Sequence, residues 1–544
     1  MDRRKFFAAA GAVVGGTLFA AERTASFGGE PLYNGIRLPS PWPPRVTELP
    51  RDALTPPYLK APPTVIPIDL GRQLLVDDFL VEKTTLTRTF HAPKEHADNP
   101  LVRPDRPWEK KGRGPSAIVF SDGVWYDPKE RLFKMWYLAG YGAGTCYAVS
   151  EDGLAWHKPE LDVRKGTNIV QSEARDSATV WLDLEDEDPQ RRYKLFRSHR
   201  EAGHFGLSVY FSPDGLHWGE RVLRTGPCGD RTTAFRNPFR KVWVYSLRNG
   251  GGRPRRRRYW EVKDLLKGPP WKRLDEPPLW CGSDPRDPQR DDLRTVCELY
   301  NLDCVAYESL ILGLFTIWRG DKNIPAGRPK PNEVCVGFSR DGFHWHRPDR
   351  RPFLAVSGHK GDWNWGNVQS AGGGCLVVGD ELWFYHSGRA GTPGKSGTRD
   401  TGGGTGLGIL RRDGFASLHA GPEGGTLTTR PLRFGGTHLF VNADVAAGEL
   451  TAEVLDERGQ VVEGLARADC LPVRTDRTLQ PVAWKAGDLT KVAGKPVKFR
   501  FHLKGGRLYA FWVSTEKSGA SHGYLGAGGP GFTGPTDTIG RARR

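Results

Sequence analysis

The stretch SEDGLAWHKP at 150–159 recurs as SPDGLHWGER at 212–221 and as SRDGFHWHRP at 339–348, all three fitting S-x-D-G-x-x-W. Each copy ends an alternating apolar run: TCYAVS, LSVYFS and VCVGFS. Asp-Gly is a tight-turn signal, because glycine takes positive φ without steric cost. The aspartate can accept hydrogen bonds from the backbone of its own turn. The tryptophan three residues past the glycine has a large apolar area to bury between sheets. One turn repeated three times therefore points to one packing problem repeated three times. Asp152, Asp214 and Asp341 are expected to be turn residues, and Trp156, Trp218 and Trp345 packing residues.

Outward from these turns, strand-like segments fall into five units of about sixty to seventy residues. The first holds SAIVFSDGVWYD and LFKMWYLAG, and the second SATVWLDLE and RYKLFRSHR. The third holds TTAFRNPF, KVWVYSLR and RRRYWEVKD, and the fourth LDCVAYES and LILGLFTIW. The fifth holds VQSAGGGCLVVGD, ELWFYHSGR and GLGILRRDGF. Radial repetition of small antiparallel sheets protects strand edges, so the expected fold is all-β, with a five-bladed β-propeller over 67–418. After Asp413 the text changes to long alternating runs with hairpin turns, such as GELTAEVLDERGQVVEG, and 419–516 is expected to be a β-sandwich.

The ends read differently. Residues 1–28 begin MDRRKFF and continue with an Ala/Gly-rich run, which resembles a twin-arginine export signal. The expected destination is periplasmic or extracellular. The run from Phe6 to Ala21 is short for a membrane span, so no membrane association is expected beyond an uncut signal anchor. Residues 29–66 are proline-rich and read as a linker, and 517–544, GYLGAGGPGFTGPTDTIG included, as a Gly-rich disordered tail.

The net charge is +16, and Arg253 to Arg258 read RPRRRR. Either that run is a solvated basic loop, or it meets an anionic partner such as a sulfated or carboxylated glycan. No helix-turn-helix, zinc-finger or RNP-like pattern accompanies the charge, so nucleic acid is not an expected partner. Eight cysteines include no C-x-x-C pair. No cofactor is expected, and no ligand spacing argues for a metal.

A propeller places chemistry at the mouth of its central channel, where the innermost strands begin. Residues at or before those starts are Glu109 and Arg113, Asp176, Asp230 and Arg231, Asp303 or Glu308, and Asn364 and Asn367. Carboxylates converging from different blades are what glycosidic cleavage needs, one as acid and one as base or nucleophile. The expected catalytic set is Asp176, Glu308, Asp230 and Glu109. Glu308 stands in an apolar run, VAYESLILGL, where a carboxylate is costly to bury unless paired or facing a cavity. Pairing with an arginine, a capping role for Asp230 and a solvated Glu109 are the bland alternatives. Arg113, Arg231, Arg248, Trp365, Asn367 and His386 are expected to bind substrate, and Arg389 is another basic residue at a strand end.

A propeller followed by a sandwich, together with FKMWYLAG, VAYESLILGL, the repeated turns and GTLTTRPL, resembles the five-bladed glycosidases of the invertase/levanase and arabinanase groups, over about residues 67–516. The resemblance implies an Asp of the first blade as base or nucleophile, a second Asp that stabilises, and a Glu as acid. Here ARDSA at 174–178 keeps an Arg-Asp pair with Ser in place of the next Pro. Tyr307-Glu308-Ser309 stands in for the acid motif. The implied function is an exported glycoside hydrolase acting on a plant or algal poly- or oligosaccharide. A non-catalytic glycan-binding propeller is one alternative. A sialidase-like hydrolase is another, and it needs an arginine triad, a Tyr nucleophile and six blades.

Overall fold

The computed structural model describes residues 29–541 except 51, 113, 250–253, 268–270, 288–296, 320–330 and 392–401. The expected export signal and Arg113 lie outside the described residues. The described chain is nearly all β, and its one α-helix is the single turn Pro57–Lys60.

Five antiparallel sheets follow one another in sequence. The first has Ala117–Ile118 and Val124–Asp127 beside Leu132–Ala139, then Thr145–Ser150 and Ile169–Gln171. The second has Ala178–Leu182, Tyr193–Glu201, His204–Ser212 and Leu223–Arg224. The third has Thr233–Asn237, Val242–Arg248, Arg256–Val262 and Leu279–Gly282. The fourth has Glu298–Glu308, Leu310–Trp318 and Asn332–Ser339. The fifth has Asn367–Gln369 and Leu376–Val378 beside Glu381–Arg389, then Gly403–Arg411, and it ends in Lys94–Glu95 from before the first sheet.

The repeated turns hold neighbouring sheets together. In each, one aspartate oxygen accepts from two backbone N–H groups and from the motif serine, as Asp214 does from Leu216, His217 and Ser212. Asp152 and Asp341 do the same. The glycine then meets the preceding sheet. Trp136 of the first sheet donates to the Gly215 carbonyl at 2.7 Å, and Trp280 of the third donates to Phe343 at 2.7 Å. Tyr385 of the fifth sheet donates to Gly153 at 2.6 Å, so the first sheet's turn lies on the fifth and the series closes. No side chain fits at these glycines. A Cβ on Gly215 would come within 2.5 Å of Trp136.

Two further sheets bury a second core. One contains Asp476–Val482, His438–Asp444, Gly506–Ser514, Ala416–Ala420 and Thr87–Phe90; the other contains Val81–Thr84, Gly425–Thr429, Lys498–Lys504 and Glu449–Leu455. Thus the segment expected to open the propeller at residue 67 instead supplies strands to these sheets. It buries Leu75, Phe79, Leu80 and Val81 in one core with Leu427, Phe501 and Phe511. The expected linker 29–66 is also packed down, with Leu32, Ile36, Leu38 and Tyr58 in the same core.

The Gly-rich tail is ordered through Arg541 rather than disordered. Gly526 donates to Ala306, Ala527 to Cys375, and Gly528 accepts from Val377, while Tyr126 donates to Ala527. The tail thereby bonds the first, fourth and fifth sheets. Its glycines answer close approach. A Cβ on Gly526, at φ +63°, would lie 2.4 Å from the Cys375 carbonyl oxygen, and one on Gly523 would lie 2.1 Å from Glu308. Composition pointed to flexibility, but backbone contact demanded the same residue.

The arginine run is not a solvated loop over its described part. It enters the strand Arg256–Val262, whose alternation turns Arg257 inward. The buried Arg257 guanidinium donates to Arg231 O, Tyr300 O and Asn301 Oδ1. All eight cysteines are free thiols, seven of them buried.

Candidate active site

Polar side chains from all five sheets meet in one chain of contacts. Asn301, in the first strand of the fourth sheet, donates from Nδ2 to Asp303 Oδ2 at 2.9 Å, Ser121 Oγ at 3.0 Å and Ser370 Oγ at 3.0 Å. Ser121 precedes Asp122, which forms a close ion pair with Arg175. The next residue, Asp176, pairs with Arg231 Nε at 3.1 Å and accepts from its backbone N–H at 3.2 Å. Arg231 Nη2 donates to Tyr141 Oη at 3.2 Å. The Arg389 guanidinium lies 4.9 Å over the Tyr141 ring and donates to Asn367 Oδ1 at 3.0 Å.

Local backbone aims these groups. The first strand of the first sheet breaks between Ile118 and Val124, with Phe120 at φ +42°. Arg231 at φ +55° and Ser370 at φ +67° are also in the left-handed region. Such conformations cost a non-glycine residue of order 1–3 kcal/mol and survive only where the surroundings enforce them. Three in one locus mark the place where the sheets sacrifice regularity to direct side chains.

Burial sets the electrostatics. Asp122 is 0 % exposed, and desolvation pushes its carboxyl up to about 7 despite the pull of Arg175. Its Oδ2 accepts no hydrogen bond among the described residues. One arginine does not recover what a carboxylate loses on leaving water, so the acid form is favoured. Desolvation likewise pushes Asp303 up to about 6, against the hydrogen bonds from Ser121 and Asn301. Tyr141 goes the other way. Burial alone would raise its phenol, but Arg231 and Arg389 bring it down to about 8. The site thus combines two carboxyls that release protons near neutrality with Asp176, whose side chain is 16 % exposed and ion-paired.

The residues expected from sequence divide into three groups. Asp176, Arg231 and Asn367 belong to the contact chain. Asp230 and Arg248 pair with each other beside Arg231, and Trp365 is half-buried near Asn367. Glu109, Glu308 and His386 lie outside this contact chain, each engaged by partners of its own. Glu109, expected to be solvated if not catalytic, is buried. It accepts from Tyr137 Oη at 2.6 Å, Lys158 Nζ at 2.9 Å and two backbone N–H groups. His386 is buried against Glu95 of the closing strand, 3.0 Å away.

Glu308 ends its strand, five residues past Asp303, or roughly 17 Å at strand rise. There it accepts from Arg72 N at 3.0 Å, Ser521 Oγ at 2.7 Å and Arg412 Nη2 at 3.2 Å. Arg72 and Arg412 also bind Asp413 and Asp537. Burial raises the Glu308 carboxyl, and the two arginines pull it back. This is the arginine pairing that a carboxylate in an apolar run required, and it ties the tail to the sheets.

Asp122 was not among the expected residues. Its context, Ser121-Asp122-Gly123-Val124-Trp125, imitates the repeated turn. The available signal was an acid interrupting an inner apolar strand, the same cost that singled out Glu308.

No protein-family model and no curated protein matches the chain. Similar solved structures include an N-acetylgalactosamine deacetylase from F. plautii in complex with blood group B trisaccharide: 14 % identity, TM-score 0.38, covering 64 % of this chain and 97 % of that one. A thermostable family-43 glycoside hydrolase matches at 14 % identity and TM-score 0.38, covering 56 % and 93 %. A protein of the GH130 family of mannoside phosphorylases, which contains glycoside hydrolases that target β-1,2 mannosidic linkages in Candida mannan, matches at 14 % identity and TM-score 0.38, covering 62 % and 96 %. Glycoside hydrolases thus stand among the structures this chain resembles, while the chemistry of the site has to be argued from its own residues.

Proposed function

We propose that the chain is an exported glycoside hydrolase acting on a plant or algal poly- or oligosaccharide. In this proposal its five successive sheets are the blades of a β-propeller, followed by a β-sandwich. The observation that carries it is the linkage of Asp122, Asp176 and Asp303, from three sheets, in one network through Arg175, Arg231, Ser121 and Asn301, with Asp122 and Asp303 pushed toward neutrality by burial. Hydrolysis of a glycoside needs one carboxyl that still holds its proton and one that is ionised. Asp122 suits the acid that protonates the leaving oxygen. Asp176, reachable from solvent and paired with Arg231, suits the base or nucleophile. Asp303 tunes the pair from below through Asn301 and Ser121. This assignment departs from the roles that the resemblance implies: the first-sheet aspartate takes the acid's part in place of a glutamate, and the second-sheet aspartate takes that of base or nucleophile.

A non-catalytic glycan-binding protein is the second possibility, favoured by the complete burial of Asp122. Turnover of a glycan panel by the parent, Asp122→Asn and Asp176→Asn separates the two. Hydrolysis predicts a loss of about 100-fold or more in each variant. Undiminished turnover in both would remove the catalytic assignment, and binding without turnover in the parent would favour the second possibility.

A further inference from the structure

We propose that Arg231 and Arg389 form a clamp for an anionic group, a carboxylate or a sulfate, on the glycan bound at this site. The inference rests on the site binding a glycan and adds the substrate class.

The two guanidiniums arrive from different sheets and converge on one aromatic pair. Arg231 lies 4.1 Å over the Phe120 ring and Arg389 5.6 Å over the same ring. Tyr141, whose ring packs edge-on against Phe120 at 6.1 Å, takes a hydrogen bond from Arg231 and has Arg389 over its face. Both arginines are nearly buried, at 3 % and 7 % exposure. Yet Nη1 of Arg231 and Nη1 of Arg389 make no hydrogen bond among the described residues, and Nη1 of Arg175 behind them makes none either.

Buried guanidinium N–H groups without acceptors are costly, and a protein normally satisfies them. Of the nearby carboxylates, Asp176 engages only the Nε side of Arg231, and Asp122 engages Arg175. Arg389 has amide oxygens as partners, Asn367 Oδ1 and Gln369 Oε1, and the Tyr141 phenol that it shares with Arg231, but no carboxylate among the described residues. The donors left over are planar, charged and held by stacking, the arrangement that suits carboxylate and sulfate oxygens. A neutral sugar would leave Arg389 without a carboxylate partner among the described residues.

Calorimetric titration of the full chain tests this. The probes are methyl glucuronide and methyl galacturonide, the matching neutral methyl glycosides, and a 6-sulfated methyl galactoside. At least one anionic sugar is expected to bind about 10-fold or more tightly than its neutral counterpart. Which one wins separates carboxylate from sulfate. Arg389→Gln should erase the preference, the anionic sugar losing the about 10-fold by which it exceeded its neutral counterpart, and Arg389→Lys should retain part of it. In the parent, inorganic sulfate should compete with the preferred sugar, a measurement that needs no variant to fold. Equal binding of anionic and neutral sugars, no binding of any anionic probe, or a preference that survives Arg389→Gln would overturn the clamp. A clear anionic preference without turnover of any glycan would leave the clamp standing and remove the hydrolase proposal.

Discussion

At the scale of single residues, what matters is how each buried charge is compensated. Glu308 and Asp122 are both fully buried, but Glu308 has three hydrogen-bond donors from three residues and the Arg72 Nε 3.5 Å away, whereas Asp122 has one arginine and an unbonded oxygen. Glu308→Gln is therefore expected to cost roughly 2 kcal/mol of stability, since Arg72 and Arg412 keep Asp413 and Asp537 as partners. Turnover per folded molecule should stay unchanged. An intact melting temperature with lost activity would restore Glu308 to the chemistry.

Asp122 and Asp303 make a pH prediction. Their folded values, about 7 and about 6, lie above the ordinary carboxylate range, so each favours folding while protonated. That contribution is complete below about pH 4 and is lost as pH rises through 6 and 7. Denaturant midpoints should thus fall between about pH 4 and 7, with a flatter slope in Asp122→Asn. Tyr141 should ionise near pH 8 in an absorbance titration at the tyrosinate band, and Tyr141→Phe should remove that step. The groups facing its phenol are Arg231, Arg389 and Asp176. Loss of turnover in Tyr141→Phe comparable to that in Asp176→Asn would argue for a tyrosine nucleophile of the sialidase kind.

At the scale of elements, the S-x-D-G-x-x-W turn couples sheets. Gly215 and Gly166 share a left-handed backbone, φ +80° and +73°, but a Cβ on Gly215 meets Trp136 at 2.5 Å and one on Gly166 meets nothing within 4 Å. Gly166→Ala is expected to cost about 1 kcal/mol for the backbone alone. Gly215→Ala should cost about 2–3 kcal/mol more, because Trp136 is fully buried and cannot retreat. Equal losses in chemical denaturation would show that the turn does not dock. The fifth unit uses the same device differently. Its Arg412-Asp413-Gly414 turn lacks the serine, and Asp413 instead accepts from Tyr307 and Arg72. The elements were legible in sequence because strand period and Asp-Gly turns are local. The segment from residue 67 was read into the propeller and joins the other two sheets instead, since a strand-like segment does not state which sheet it will join.

At the scale of the molecule, the two chain ends bind the sheets together. Residues 94–95 complete the fifth sheet, and the tail bonds the first, fourth and fifth sheets while supplying Asp537 to Arg412. Deleting residues 519–544 should lower the melting temperature by roughly 5 °C or more, at 2–4 °C per kcal/mol for mid-sized domains. Asp537→Asn should lower it by less. A deletion that melts like the parent would mean that the tail merely rests on the sheets. Sequence alone determined the all-β character, the five-unit order and the structural role of Asp152, Asp214 and Asp341, because each follows from local period and turn chemistry. It also drew notice to Asp176, at the foot of an apolar strand, which the fold sets beside Arg231. Only the tertiary structure decided which carboxylates meet. Glu308 and Asp303 share one strand, yet five residues of rise carry them to different surroundings, one lined with arginines and one with amides and hydroxyls. The value of a charge depends on what surrounds it in three dimensions. The same cause settled the tail, where glycine served contact rather than freedom.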